Sequence, residues 1–303
     1  MATFRDDRTS GSADVAVAFL SDLRHRLAAD TSRSTADLRA ALLGWLRAAQ
    51  AAQPALALVH QLSARALMVA DGALIRGDAA LDARRVLDET CAAEAADLVQ
   101  ARGALARQAA GLLDGRGGWI ATLSASGTVL DALLLAHQAG REPRVMVAES
   151  RPLFEGRDMA AALGASGIPV WLVVDAALPL LLSQARMVWL GADAVTDQGL
   201  LNKVGSFAAA LAAREHSVPV YALASRRKFL PATTGALQIP EMPPQEVWDA
   251  APETVKPRNV YFELVPLPLL RGVVVEDSVL PPGEAAQLAR ERALPAELDR
   301  PGS

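Results

Sequence analysis

At 303 residues, with 51% hydrophobic residues and a mean hydropathy of +0.20, the chain carries ample apolar surface for a folded core, and its length suits a helical module joined to an α/β domain. Its 30 Lys and Arg residues are interspersed with 34 Asp and Glu, which leaves no basic footprint for nucleic acid as a direct ligand. The single cysteine, Cys91, excludes an internal disulfide framework and an ordinary thiolate zinc site, and no two of the four histidines have helical metal spacing, so neither a metal nor another cofactor is expected.

Arg5, Asp6, Asp7 and Arg8 precede any apolar run, unlike the start of a signal peptide. From about Ala13 to Leu113 apolar residues recur at helical spacing, as in Leu38, Leu42, Leu43 and Leu46, and Pro54 is expected to open a helix running from Ala55 to Leu74. The Gly115-Arg116-Gly117-Gly118 cluster breaks this pattern, and a β-prone stretch from Trp119 to Leu123 follows. Residues 1–115 are therefore read as a helical domain and residues 116–303 as an α/β domain.

Beyond the break, Arg144 to Ala148, Val170 to Val174, Met187 to Leu190, Val218 to Leu223 and Val260 to Val265 read as buried parallel strands. Thr128 to His137, Asp158 to Leu163, Ala176 to Gln184 and Val204 to His216 are long enough to be crossover helices. A Rossmann-like, doubly wound and mainly parallel sheet is the expected architecture. The stretch from Pro231 to Pro257 reads as a long connection. The most apolar segment, Ile168 to Leu182, is broken by Asp175 and Pro179 and is shorter than the roughly 20 residues that span a bilayer, so a cytoplasmic protein without membrane contact is expected.

Ligands of doubly wound sheets sit beyond the carboxyl ends of the strands, which directs attention to the polar residues after each apolar run. Ser124 to Thr128 lead from a strand into a helix whose free amides can hold an anion or can simply be capped by Ser126. Glu149-Ser150-Arg151-Pro152 presents an Arg fork at a strand end, with a surface ion pair as the plainer account. Gly191-Ala192-Asp193 offers a carboxylate that could act as a general acid or base or cap a helix. Asn202-Lys203 opens an alanine-rich helix, where a lysine opposes the helix dipole unless an anion or water relieves it. Lys228 stands at another strand end, in a basic turn that could equally be solvated.

In chain order, the segments TLSASGTVLDAL, ESRPLFEGRDMAAAL, GIPVWLVVD, GADAV, NKVGSFAAALAAREHSVPVYALA and RKF resemble the translation initiation factor 2B alpha, beta and delta subunits. They also resemble the related ribose-1,5-bisphosphate and methylthioribose-1-phosphate isomerases. The resemblance covers most of the second half of the chain and is weaker in the first. It implies a pocket for a phosphorylated sugar or nucleotide and a homodimer or larger homo-oligomer. Asp193 then matches the isomerases' acid/base aspartate, Asn202 and Lys203 their substrate-binding pair, Lys228 a further binding lysine, and Ser126, Gly127 and Thr128 the phosphate-holding turn; Glu149 and Arg151 join the candidate ligand contacts.

The departures from that pattern bear on chemistry. Ser124 stands where the isomerases carry a catalytic cysteine, and a hydroxyl is a far weaker acid and nucleophile than a thiol. Ser10-Gly11-Ser12 and Gln53-Pro54 stand where they carry anion-binding arginines, and the spacing from Asp193 to Asn202 is one residue short. Two readings follow: a binding or regulatory protein without classical isomerase chemistry, favoured by these losses, and an aldose-ketose isomerase using Asp193.

Overall fold

The computed structural model describes residues 4–115, 117–235 and 237–299. Arg116, in the glycine cluster read as a break, lies outside the described residues. Four helices come first: α1 (Ser12–Ala29), α2 (Thr35–Ala52), α3 (Ala57–Arg76) and α4 (Ala80–Ala110). Local chemistry sets their limits. The Ser34 hydroxyl accepts from Asp37 N at 3.1 Å to start α2, and Gly77, at φ 72°, ends α3 in the left-handed conformation that glycine adopts without a Cβ clash. Pro54 does not open a helix as expected: it lies in a turn before α3, where Leu56 N donates to Gln53 O at 3.2 Å.

At 31 residues α4 extends about 46 Å, enough to serve two cores. Its first part packs Ala83, Leu87, Cys91 and Leu98 with α1 to α3, in a cluster that also takes Leu294 and Leu298 from near the chain's end. Its last turns bury Leu105, Ala106 and Ala109 against the sheet.

The sheet has seven strands in the order β10-β9-β7-β4-β1-β2-β3. These are β1 (Trp119–Leu123), β2 (Arg144–Ala148), β3 (Val170–Val173), β4 (Ala185–Leu190), β7 (Val220–Leu223), β9 (Gly272–Val274) and β10 (Val279–Leu280). All neighbours are parallel except β9 and β10. Alternation sends Ile120, Val145, Val147, Met187 and Trp189 to one face, beneath α5 (Gly127–Gln138) and α6 (Glu155–Ala165). Ala121, Leu123, Met146, Val188 and Leu190 face the other way, toward α7 (Leu178–Leu181), α8 (Ser206–Glu215) and α9 (Pro282–Arg290).

Two expectations are corrected here. A three-stranded antiparallel sheet, β5 (Ala194–Val195), β6 (Gly199–Lys203) and β8 (Phe262–Pro266), stands apart from the parallel one, and the run Val260 to Val265 enters it as β8. Asn202 and Lys203 do not open a helix: they end β6, paired with Glu263 and Phe262, and Gly205 at φ 101° turns the chain into α8. The start of α8 is served from another strand, because one Glu263 carboxylate oxygen accepts from Gly205 N and Phe207 N, each at 2.8 Å.

Candidate functional site

The chain leaves β1 to build β2 and β3 on one side, then returns to place β4 and β7 on the other, so the strand order reverses between β1 and β4. A crevice opens beyond the carboxyl ends of strands at such a point. Here it is a cavity of about 170 Å³, walled by the turns after β1 and β4, by the segment leading into α1, and by the turn before α3.

Ser124, directly after β1, has φ 60°, a conformation costing a serine on the order of 1 kcal/mol. It is held there by Ser150, whose hydroxyl accepts from Ser124 N at 2.7 Å and donates to Ala148 O at 3.1 Å. Among the described residues no base is hydrogen-bonded to the Ser124 hydroxyl. Ser126 caps α5, accepting from Val129 N at 3.4 Å, and the first turn of the helix faces the cavity. Capping and anion binding are thus compatible: the cap satisfies the Val129 amide and leaves the amides of Gly127 and Thr128 available. A Cβ on Gly127 would stand 2.7 Å from an Arg102 guanidinium nitrogen, so only glycine admits that side chain so close to the helix start. Arg102 comes from α4 and is held by both oxygens of Asp131 at 2.6 and 3.1 Å and by Asp14 at 3.2 Å.

Opposite this turn lie the groups contributed after β4 and by β6. Asp193 sits between β4 and β5 and not at the start of a helix of its own; its main chain donates to Leu201 O at 2.9 Å and accepts at 3.1 Å from Ala57 N, the first residue of α3. Burial pushes its carboxyl above the usual range, Lys228 and Lys203 pull it back, and Glu155 adds to the rise. Lys228 belongs to no solvated turn, being 6% exposed, with its ammonium donating to Ser12 Oγ at 2.7 Å and Ala192 O at 2.5 Å. Burial lowers its proton affinity, which Asp193 partly restores. Asn202 is fixed by Nδ2 donating to Ser206 Oγ at 2.9 Å. Its amide oxygen would lie 3.5 Å from a Cβ on Gly191, and Ser126 only 2.9 Å, so the turn after β4 needs glycine.

Lys203 meets a partner that the strand-end reading passed over. Its ammonium donates to Glu155 Oε1 at 2.5 Å, both side chains are buried, and the Tyr261 ring centre lies 4.5 Å away. Glu155 therefore resolves the lysine's charge, and no helix dipole opposes it. Ser124, Ser126, Gly127, Thr128, Asp193, Asn202, Lys203 and Lys228 all line one cavity, as do the Ser10-Gly11-Ser12 and Gln53-Pro54 turns. Glu149 and Arg151 do not line it. Glu149 pairs with Arg157 at 2.8 Å, while Arg151 donates to Val247 O at 3.1 Å and lies over the Phe154 ring, as the surface ion-pair account of that turn anticipates for the carboxylate.

These features define a class: an α/β protein with a mostly parallel sheet whose switch point carries a cavity lined by charged side chains and walled in part by an N-terminal helical layer. The chain belongs to the initiation factor 2 subunit family, whose match runs over residues 8–282. It is 33% identical over 175 residues to the methylthioribose-1-phosphate isomerase of Cronobacter sakazakii, which covers 53% of this chain and 52% of that protein. To the ribose 1,5-bisphosphate isomerase of Archaeoglobus fulgidus it is 34% identical over 174 residues, 55% of each chain. The chain thus spans about half the length of the curated relatives it matches. In three dimensions it superimposes on a Pyrococcus horikoshii translation initiation factor eIF-2B with a TM-score of 0.75 and 26% identity, covering 92% of this chain and 94% of the other.

Proposed function

We propose that this protein binds a phosphorylated sugar or nucleotide in the cavity and acts as an initiation factor 2B-like binding or regulatory protein without classical isomerase chemistry. The observation that carries the reading is the contrast across the cavity. Asp193, Asn202, Lys203 and Lys228 line the cavity across from the start of α5, as a phosphate and polyol ligand requires, while the position after β1 is a serine with no activating base hydrogen-bonded to it among the described residues. Names of relatives support the ligand class, since two of them are isomerases of ribose phosphates.

A second reading keeps Asp193 as acid/base in an aldose-ketose isomerase, and the upward shift of its carboxyl by burial favours it, because a carboxyl that retains its proton can donate it. The experiment that separates the two measures isomerisation of methylthioribose 1-phosphate and ribose 1,5-bisphosphate by the wild type and by Ser124→Cys. The binding reading expects no turnover by the wild type, with any activity gained by Ser124→Cys abolished by Asp193→Asn. Wild-type turnover would overturn it.

The reading includes a cytoplasmic protein that works as a homodimer or larger homo-oligomer; no described helix is long and apolar enough to cross a membrane. The edge strand β3 supports the assembly, because Trp171 and Leu172 on it and Val174 just after it are exposed. Sedimentation showing only monomer at micromolar concentration would remove that part of the reading.

A further inference from the structure

The cavity contains more cationic side chains than it has free positive charge. Arg102 is held by two carboxylates, Asp131 and Asp14, and Lys228 shares its surroundings with Asp193. Lys203 is the most completely neutralised: its ammonium is bonded to Glu155 Oε1 at 2.5 Å, with the lysine side chain 8% and the glutamate side chain 3% exposed. The other carboxylate oxygen, Glu155 Oε2, is buried and has no hydrogen-bond partner among the described residues, so its negative charge is not drawn off by a second donor. A phosphate brought to this end of the cavity would meet a buried carboxylate where a cation alone would have welcomed it, and like charges at such range in a poorly solvated site repel strongly. The start of α5 differs: its free amides and helix dipole attract an anion without needing an unpaired side-chain charge.

We propose that Glu155 sets the ligand class of this cavity: by neutralising Lys203 it confines phosphate recognition to the α5 end, so that the site takes a sugar bearing one phosphate and rejects one bearing a second phosphate at the Lys203 end. The proposal rests on the phosphate-binding reading above and narrows it. Lys203 on this account is an orienting cation locked by its partner, and the Tyr261 ring 4.5 Å from its ammonium completes a site suited to an uncharged, hydroxyl-bearing portion of the ligand.

Calorimetric titration of ribose 1-phosphate and ribose 1,5-bisphosphate into the wild type, Glu155→Gln and the double variant Glu155→Gln with Lys203→Met tests it. The wild type is expected to bind the monophosphate at least about tenfold more tightly. Glu155→Gln frees the Lys203 ammonium and should shift the ratio toward the bisphosphate by roughly tenfold or more, and the double variant, with neither charge, should return to the monophosphate. Glu155→Gln leaves a buried ammonium unpaired and could fail to fold; the wild-type ratio and the double variant then decide. Bisphosphate binding by the wild type as tight as that of the monophosphate overturns the proposal while leaving the phosphate reading standing. So does an unchanged ratio in Glu155→Gln, or a bisphosphate preference in the double variant. Binding of neither sugar by the wild type overturns the phosphate reading itself and this proposal with it.

Discussion

His60 offers a sharp test of how the wall of the cavity is held. The imidazole is 0% exposed on α3, and its Nε2 lies 3.0 Å from the carbonyl oxygen of Pro54, a residue of the cavity wall, while Nδ1 is buried with no hydrogen-bond partner among the described residues. As a donor to that carbonyl the neutral ring needs its proton on Nε2, and protonating Nδ1 would place an uncompensated charge in the core. Burial accordingly pushes the group down from 6.5 to about 4, outweighing the opposing hydrogen bond to Pro54. The unfolded chain therefore binds the proton more readily than the folded one, so the stability tied to His60 is fully present above the unfolded value and is lost as pH falls toward 4. Between pH 6.5 and 4.5 this linkage amounts to about 2 kcal/mol. Urea unfolding of the wild type and of His60→Leu at both pH values isolates it, since carboxylates titrate alike in the two proteins and cancel. The wild type should lose about 2 kcal/mol more than the variant over that interval. An equal loss in both would show that the imidazole is not buried neutral and that Pro54 is not held in this way.

Gly127→Ala should weaken or abolish any melting-temperature response to ribose 1-phosphate with little change in the unliganded melting temperature, because the new methyl must displace only the Arg102 guanidinium, 2.7 Å from it. Gly156→Ala should be severely destabilising by urea unfolding, since its Cβ would lie 1.8 Å from the Ala148 carbonyl oxygen, a backbone atom that cannot move aside. Glu263→Ala should cost about 1–2 kcal/mol in the same assay by leaving the amides of Gly205 and Phe207 at the start of α8 without their acceptor.

Much of this arrangement was legible in order along the chain. Strands β1, β2, β3, β4 and β7 are short β-prone runs followed by small or polar residues, and α5, α6 and α8 are long enough to be recognised by their apolar spacing, whereas the crossover helix expected over Ala176 to Gln184 is only the four-residue α7 between two 3-10 turns. Asn202 and Lys203 misled because the alanine-rich helix after them dominates the local pattern, whereas their strand character comes from pairing with β8, some sixty residues later, which no local window contains. Val260 to Val265 misled for the same reason in reverse: an apolar run says little about which sheet it joins.

At the cavity, residues at the ends of predicted strands were found because topology requires ligand groups there. Glu155 and Arg102 were not, since each acts through a partner remote in sequence, and Ser12, noted only in the turn where an arginine is missing, was not linked to Lys228. Ser12 receives the Lys228 ammonium across 216 residues, and Glu155 meets Lys203 across 48. A glutamate in the first turn of a helix is an ordinary feature, and only the burial of Glu155 marks it as different. Glu149, by contrast, was signalled by its position at a strand end, yet Arg157, two turns of chain later on α6, draws it away from the cavity.

The central claim is that the cavity at the switch point binds a sugar phosphate and that Lys228 is part of what holds it. Calorimetric titration of ribose 1-phosphate into the wild type, Lys228→Met and the exposed-site control Lys256→Met tests it directly. Saturable binding by the wild type and by Lys256→Met, weakened at least about tenfold in Lys228→Met, is the expected result. Binding of equal strength in all three proteins, or no binding by the wild type, would contradict it.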